Sequence, residues 1–372
     1  MKRLLLIGAG HAHAQVLLDL AQSPLAGVEV TLLSPHALAP YSGMIPGWLS
    51  GHYRFEEAAI DFRALCAAAG AHWYQGELDA IAPDQQLVRC TSGATLAYDI
   101  VSLNVGSTLQ PPAITGPAVL AMRPLSELAS AFNAVLERWK TDPSTRDFHV
   151  TAVGGGAAGF ESLLAVLHRL RALKPGRSVH GRLLTRGATL LPGLSGMAQR
   201  AAARALKNAG VVLELATEWS PTHAAGVDLV LWATGAQAHP WQTDPARRGA
   251  LAVSSQGFIR IDAQLCSISH PQVFAVGDCA EWRTPLPKAG VYAVRMGPVL
   301  SHNLRAALGL GDDQPYRPQH QFLALLSTGD GSAIASRGML GARGRWIWRW
   351  KDRIDRRFVR RFTMTPESAL ED

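Results

Sequence analysis

Phe148-His149-Val150-Thr151-Ala152-Val153-Gly154-Gly155-Gly156-Ala157-Ala158-Gly159 is the stretch that decides the fold. A short strand-like run feeds directly into a complete G-x-G-x-x-G. Leu163, Leu164, Leu167 and Leu170 then recur at helical spacing within a helix read over 160–173, and 179–185 is the returning strand. In that context the glycines allow a tight turn and close backbone approach. The helix start supplies free N–H groups and a partial positive charge to a pyrophosphate.

The N-terminus repeats the design. Residues 3–7 form a plausible buried strand, Gly8-Ala9-Gly10 follows, a helix runs from about Ala12 to Ala21, and a second strand covers 28–33. Gly8 permits the turn and Gly10 lets backbone approach a ligand. Two positions depart from the pattern: His13 stands where the third glycine belongs, and Ser34 stands where an acid usually holds a ribose. Alone, this unit also reads as an ordinary Gly-rich turn. Two units in one chain point to two dinucleotides. The second unit ends Leu184-Thr185-Arg186-Gly187 without an acid. Arg186 therefore reads either as a partner for the 2′-phosphate of NADPH or as a solvated loop cation.

Three further segments extend the pattern. Tyr98–Ser107 and Val227–Gly235 are strands that end in glycine turns, each downstream of one unit. Val273–Ala280 is a strand ending in Gly277-Asp278, whose carboxylate can accept a hydrogen bond from a ribityl hydroxyl. With both glycine loops, Ala233-Thr234-Gly235 and Gly277-Asp278 in this order, residues 1–310 resemble the two-dinucleotide-binding flavoproteins of the pyridine nucleotide–disulfide oxidoreductase family. The resemblance implies an α/β fold of two Rossmann-like domains, with a discontinuous FAD domain (1–115 and 245–318), an inserted NAD(P) domain (116–244) and a small C-terminal domain (319–372). It implies FAD held around Gly8, Gly10, His11, Ala12, Ser34, Pro35, Asn104, Gly106, Gly277, Asp278, Gly290 and Val291. It implies NAD(P)H around Gly154, Gly156, Gly159, Arg186, Thr234 and Gly235.

The four cysteines, Cys66, Cys90, Cys266 and Cys279, form no C-x-x-C or C-x-x-x-x-C pair, which disfavours dithiol chemistry and fits a reducing compartment. The chain looks more like type II NADH dehydrogenases and sulfide:quinone oxidoreductases. It more closely resembles a subgroup found alone or fused ahead of selenophosphate synthetase, through 10–13 (GHAH), 40–47 (PYSGMIPG) and 351–358 (KDRIDRRF). On this resemblance Glu161 faces the nicotinamide; by itself it is equally a first-turn acid favoured by the helix dipole. Lys288, before a helix through Asn303 and Leu308, sits near the flavin's pyrimidine edge or is a plain surface lysine. Met44 and Ile45 line an acceptor pocket or belong to the core. His11 and His13, two apart at a helix start, face different directions, so no metal site is expected.

The chain has 372 residues and net charge +7, and all of that excess lies in Arg343–Arg361, where nine Lys/Arg face two Asp. Trp346, Trp350, Ile354, Phe358 and Phe362 recur there every four positions, with Trp348 and Val359 beside them. This reads as an amphipathic helix lying on a membrane surface or docked on the protein's own core. No nucleic-acid recognition module accompanies the charge. The N-terminal apolar run is too short for a signal peptide and no stretch reaches a membrane span, so a cytoplasmic protein, or one peripheral on the inner face of the cytoplasmic membrane, is expected. The leading expectation is electron transfer from NAD(P)H through FAD to a quinone-like acceptor. The alternatives are oxidation of sulfide or a selenium compound, and a non-catalytic flavoprotein that binds a selenium-pathway partner such as selenophosphate synthetase.

Overall fold

The computed structural model of the chain describes residues 1–319 and 321–364. The chain begins with β1 (Lys2–Ile7), α1 (His11–Gln22) and β2 (Val28–Ser34). A loop carrying the short helix α2 (Ile45–Ser50) leads on to β3 (His72–Gln75) and β4 (Ile100–Leu103). The chain then crosses to a second sheet, through β5 (Ala118–Ala121), α3 (Leu125–Thr141), β6 (Phe148–Val153), α4 (Ala157–Leu173), β7 (Val179–Leu184), α5 (Gly196–Asn208), β8 (Val211–Glu214) and β9 (Leu229–Trp232). It returns to the first sheet with β10 (Val273–Ala275), followed by α6 (Gly290–Ala307).

Both five-stranded sheets are wholly parallel, in the orders β10-β4-β1-β2-β3 and β5-β9-β6-β7-β8. In each sheet the strand leading into the glycine loop is central. The loop therefore opens at the carboxyl ends of the strands, where the strand order reverses and ligands bind in such sheets. Full burial on both sheet faces explains the unbroken apolar run of Leu4–Ile7. The two crossings between sheets lie side by side: Thr108 and Gln237 exchange both backbone hydrogen bonds at 2.9 Å.

A three-stranded antiparallel sheet, β11 (Ala324–Ser327), β12 (Ala333–Arg337) and β13 (Leu340–Gly344), and a final helix α7 (Arg345–Arg360) complete the described chain. This sheet covers the side of α4 that faces away from β6. The approach is so close that a Cβ on Gly329 would lie 2.6 Å from the Leu164 carbonyl. Covered on two sides, α4 buries Leu163, Leu164, Val166, Leu167 and Leu170 together, which explains its broad apolar character. Met44, Ile45 and Trp48 pack into this second core with Phe132, Phe160 and Val359, so the loop after β2 ties the two sheets together.

The final helix departs from its expected orientation. Residues four apart on a helix advance by about 40° around the axis at each step. Trp346 and Phe362 consequently lie on nearly opposite sides. The structure buries Ile347, Lys351, Asp355, Val359 and the following Phe362, and leaves Trp346, Trp350 and Ile354 exposed among arginines. The five-residue stripe read from the sequence is thus two faces, one docked and one outward.

Candidate functional site

Asn104, at the end of β4, organises the first glycine loop. Its Oδ1 accepts from the backbone N–H groups of Ala12 (3.1 Å) and His13 (3.4 Å), and its Nδ2 donates to the Val276 carbonyl (3.0 Å). One carboxamide thus caps α1 and ties it to the segment after β10. Gly8 turns at φ +95° and Gly277 at φ +72°, and both crowd Asn104: Cβ atoms there would lie 2.6 Å from its carbonyl and 2.9 Å from its Nδ2. A Cβ on Gly10 would collide with the same carboxamide. Gly10 therefore makes room for Asn104 as well as for any ligand. Gly106 turns at φ +73° with open space around it.

The third-glycine position has its own solution. His13, in the first turn of α1, is fully buried, with Nδ1 2.7 Å from the Gly8 carbonyl and Nε2 2.9 Å from Ser102 Oγ. The carbonyl can only accept, so Nδ1 carries the proton and Nε2 accepts from Ser102. Burial lowers the His13 pKa to about 4, the Gly8 hydrogen bond partly opposing it, and keeps the ring neutral. In the second unit the same position is Gly159, where a Cβ would collide with the Gly154 carbonyl. A hydrogen bond from an imidazole replaces a close backbone contact, and the small hydroxyl on β4 makes it fit.

Asp278 follows the Gly277 turn. Its carboxylate is held by Arg123 Nη1, which also contacts Ser107 Oγ, while Arg123 Nη2 donates to the Lys288 carbonyl (3.1 Å). Arg123 comes from the turn after β5, so a residue of the second sheet's chain clamps the Gly-Asp turn of the first. The sequence does not single it out: one arginine shortly after a short apolar run is too common a signal. Lys288 turns elsewhere: Nζ donates to the Ala280 carbonyl (2.6 Å) and lies 3.6 Å from the Phe258 ring centre. Ser34 Oγ donates to the His36 carbonyl, and the Pro35 carbonyl accepts from Gln75.

Gly290 and Val291 open α6, and a Cβ on Gly290 would lie 2.6 Å from Ser42 Oγ. Beside them His11 stands edge-on to Tyr41, which stacks on Phe358 of α7 at 4.5 Å. Burial lowers the His11 pKa to about 4, Asp278 opposing it, and its Nε2 is buried with no partner among the described residues. Met44 and Ile45 are core side chains.

At the second loop, Gly154 turns at φ +127° beneath the Ala233 carbonyl, Gly156 has open space where a Cβ would stand, and Thr234 and Gly235 follow β9 alongside. Gly235 is likewise unobstructed. Arg186 is exposed beyond the end of β7. Glu161 points away from solvent. Its Oε1 accepts from the Ser327 N–H (2.7 Å), and burial raises its pKa to about 7 although the charge of Lys351 pulls it down. Lys351 donates to Asp355 (2.6 Å) and to the Gly43 carbonyl. These groups join α4, β11, α7 and the Tyr41–Met44 loop in one buried polar cluster.

All four thiols are free. Burial pushes Cys66 and Cys266 up to about 12 and Cys279 to about 11. None is a thiolate near neutral pH, so none is poised as a sulfur nucleophile. Among the described residues no His/Cys/Asp/Glu group could hold a metal ion, and no helix is long and apolar enough to cross a membrane.

Comparison with known proteins matches residues 2–297 to the family described as pyridine nucleotide-disulphide oxidoreductase. Among curated proteins, the chain is 24% identical over 334 residues to the alternative NAD(P)H-ubiquinone oxidoreductase C1, chloroplastic/mitochondrial, of Arabidopsis thaliana, covering 78% of this chain and 64% of that one. It is 24% identical over 371 residues to the demethylphylloquinone reductase NdbB of Synechocystis sp., covering 91% and 87%. The chain thus spans somewhat less than two thirds of the plant relative. Among solved structures, the sulfide:quinone oxidoreductase of Aquifex aeolicus superposes with a TM-score of 0.76 at 15% identity, covering 99% of this chain and 94% of that one. The NDH2 of Plasmodium falciparum with NADH gives 0.75 at 14% identity, covering 97% of each. At such identities the structures speak for the fold.

Proposed function

The chain belongs to the pyridine nucleotide-disulphide oxidoreductase family, and from that membership and the geometry above we propose an FAD-dependent oxidoreductase that carries electrons from NAD(P)H to a quinone-like acceptor. The observation that carries the reading is the pairing of two parallel sheets, each opening on a glycine loop, clamped together where Arg123 meets Asp278. The names of the plant and cyanobacterial relatives support a quinone acceptor.

The first loop fits FAD. It offers a tight positive-φ turn at Gly8, the Gly277-Asp278 turn, the start of α6, and a buried imidazole nitrogen of His11 that has no partner among the described residues. Bound there, the flavin would supply the two-electron chemistry. Around it, Asp278 and Arg123 would orient polar groups of the ligand, and the Tyr41–Phe358 stack would exclude water. Arg123 rather than Lys288 is the cation facing the Gly-Asp turn. Glu161, near neutrality in its affinity for a proton and linked to Lys351, is suited to hold or release a proton beside the second loop. Arg186, exposed and with no acid at the strand end, favours NADPH as the donor. The buried, protonated thiols weigh against the sulfide reading.

We further propose that the outward face of α7, with Trp346, Trp350 and Ile354 among Arg349, Arg353 and Arg357, rests on an anionic membrane surface, joined by the exposed Met339 and Leu340. The experiment is anaerobic titration of the purified protein with NADPH and with NADH, followed by addition of a short-chain quinone. Bleaching of flavin absorbance by a nucleotide, reversed by quinone, supports the proposal. An unbleached flavin with both nucleotides ends it.

A further inference from the structure

A cavity of about 460 Å³ lies outside the glycine loops, between α1, α6 and the Pro315–Arg317 segment. Arg295, Arg317 and Arg361 line it. Among the described residues Arg361 bonds only the neutral Gln15 side chain (2.6 Å), and Arg295 and Arg317 have no ion-pair partner. Three cations on one concave surface repel one another, and an anion would relieve that.

Charge alone would describe a solvated face; Tyr316 adds a second, independent observation. It lines the cavity, yet is only 4% exposed. Its ring stands edge-on to Trp282 at 5.6 Å and its N–H donates to the Ala263 carbonyl (2.7 Å), so its position is fixed. Its hydroxyl is buried with no partner among the described residues. An unsatisfied buried hydroxyl is costly, and a ligand oxygen would remove the cost. Burial pushes this phenol up to about 12, with Tyr292 adding to the rise and the charge of Arg295 opposing it.

Apart from Gln15 the remaining walls, Pro298 and Val299 among them, are apolar. A fully polar anion would leave them unused. Arg361 caps the C-terminal end of α7, the helix whose outward face carries the exposed Trp350 and Ile354. We propose that this cavity binds an anionic phospholipid, with Arg295, Arg317, Arg361 and the Tyr316 hydroxyl taking the phosphate oxygens and Pro298 and Val299 lying along the glycerol and first methylenes. The inference does not depend on the electron donor or acceptor.

The test uses the full FAD-loaded chain and calorimetric titration at low salt with dihexanoyl phosphatidylglycerol below its micelle concentration, and separately with inorganic phosphate. The expected result is one saturable lipid site, at least tenfold tighter than inorganic phosphate. R295Q/R317Q should weaken it at least tenfold and Y316F several-fold, while R349Q/R353Q, on the outward face of α7, leaves it unchanged. Y316F keeps the ring on Trp282 and so tests the site even if the arginine variant fails to fold. Absence of saturable binding, equal affinity for phosphate and lipid, or equal loss in R349Q/R353Q would overturn the proposal.

Discussion

Lys351 Nζ lies 2.6 Å from Asp355 Oδ2, one turn further along α7, and both side chains are buried. The pair faces inward because it also reaches the Gly43 carbonyl and the field of Glu161. A buried pair adds little over an apolar replacement, but losing one partner strands the other. Lys351→Ala should therefore cost about 3–5 kcal/mol, read as a lower thermal midpoint. Lys351→Met with Asp355→Leu should recover most of it. Equal loss in single and double variants would show that the pair is not what docks the helix.

Asn104→Ala removes three hydrogen bonds that join α1, β4 and the Val276 segment. A lost cap costs about 1–2 kcal/mol, and the shape of the first glycine loop should go with it. Urea unfolding and FAD retention on gel filtration are expected to fall together. A variant that keeps its flavin at unchanged stability contradicts the organising role of this carboxamide.

His13 and His11 are held near pKa 4 in the fold against an ordinary 6.5. The unfolded chain therefore binds more protons between these values. Their contribution is complete above pH 6.5 and is lost as pH falls toward 4, on the order of 3 kcal/mol for each ring. Glu161 acts oppositely. Its pKa, raised to about 7, gives a contribution present below 4.5 and lost as pH rises through 7. Urea midpoints at pH 7, 5.5 and 4.5 should fall on acidification, less steeply in His13→Gln and more steeply in Glu161→Gln.

Arg186→Ala should weaken NADPH binding about tenfold or more, the scale of one charge-assisted hydrogen bond, and leave NADH binding unchanged. Dissociation constants from nucleotide titration decide this. A parallel loss for both nucleotides would make Arg186 a general phosphate contact and remove the preference for NADPH.

Trp350→Ser with Ile354→Ser should abolish co-sedimentation with phosphatidylglycerol vesicles while leaving flavin content and thermal midpoint intact, since both side chains point outward. Added salt should weaken the wild-type interaction because its cationic part is screened. Vesicle binding that survives both changes would place the contact elsewhere.

The sequence by itself determined the two strand–glycine–helix units. Their signal is local: a run of apolar residues, a glycine turn and a helical repeat within about thirty residues are held together by backbone geometry alone. It also isolated the basic charge at the C-terminus. It did not determine which face of α7 docks, because the 40° drift of a four-residue spacing turns one apparent stripe into two faces, and only the contact with Gly43 and β11–β13 chooses between them. Nor did it find Arg123, Ser102 or the Tyr316 cavity. Arg123 meets Asp278 across 155 positions and His13 meets Ser102 across 89. Partners so distant are chosen by the packing of the two sheets, since a buried polar group must find its hydrogen bond wherever the tertiary structure brings one within reach.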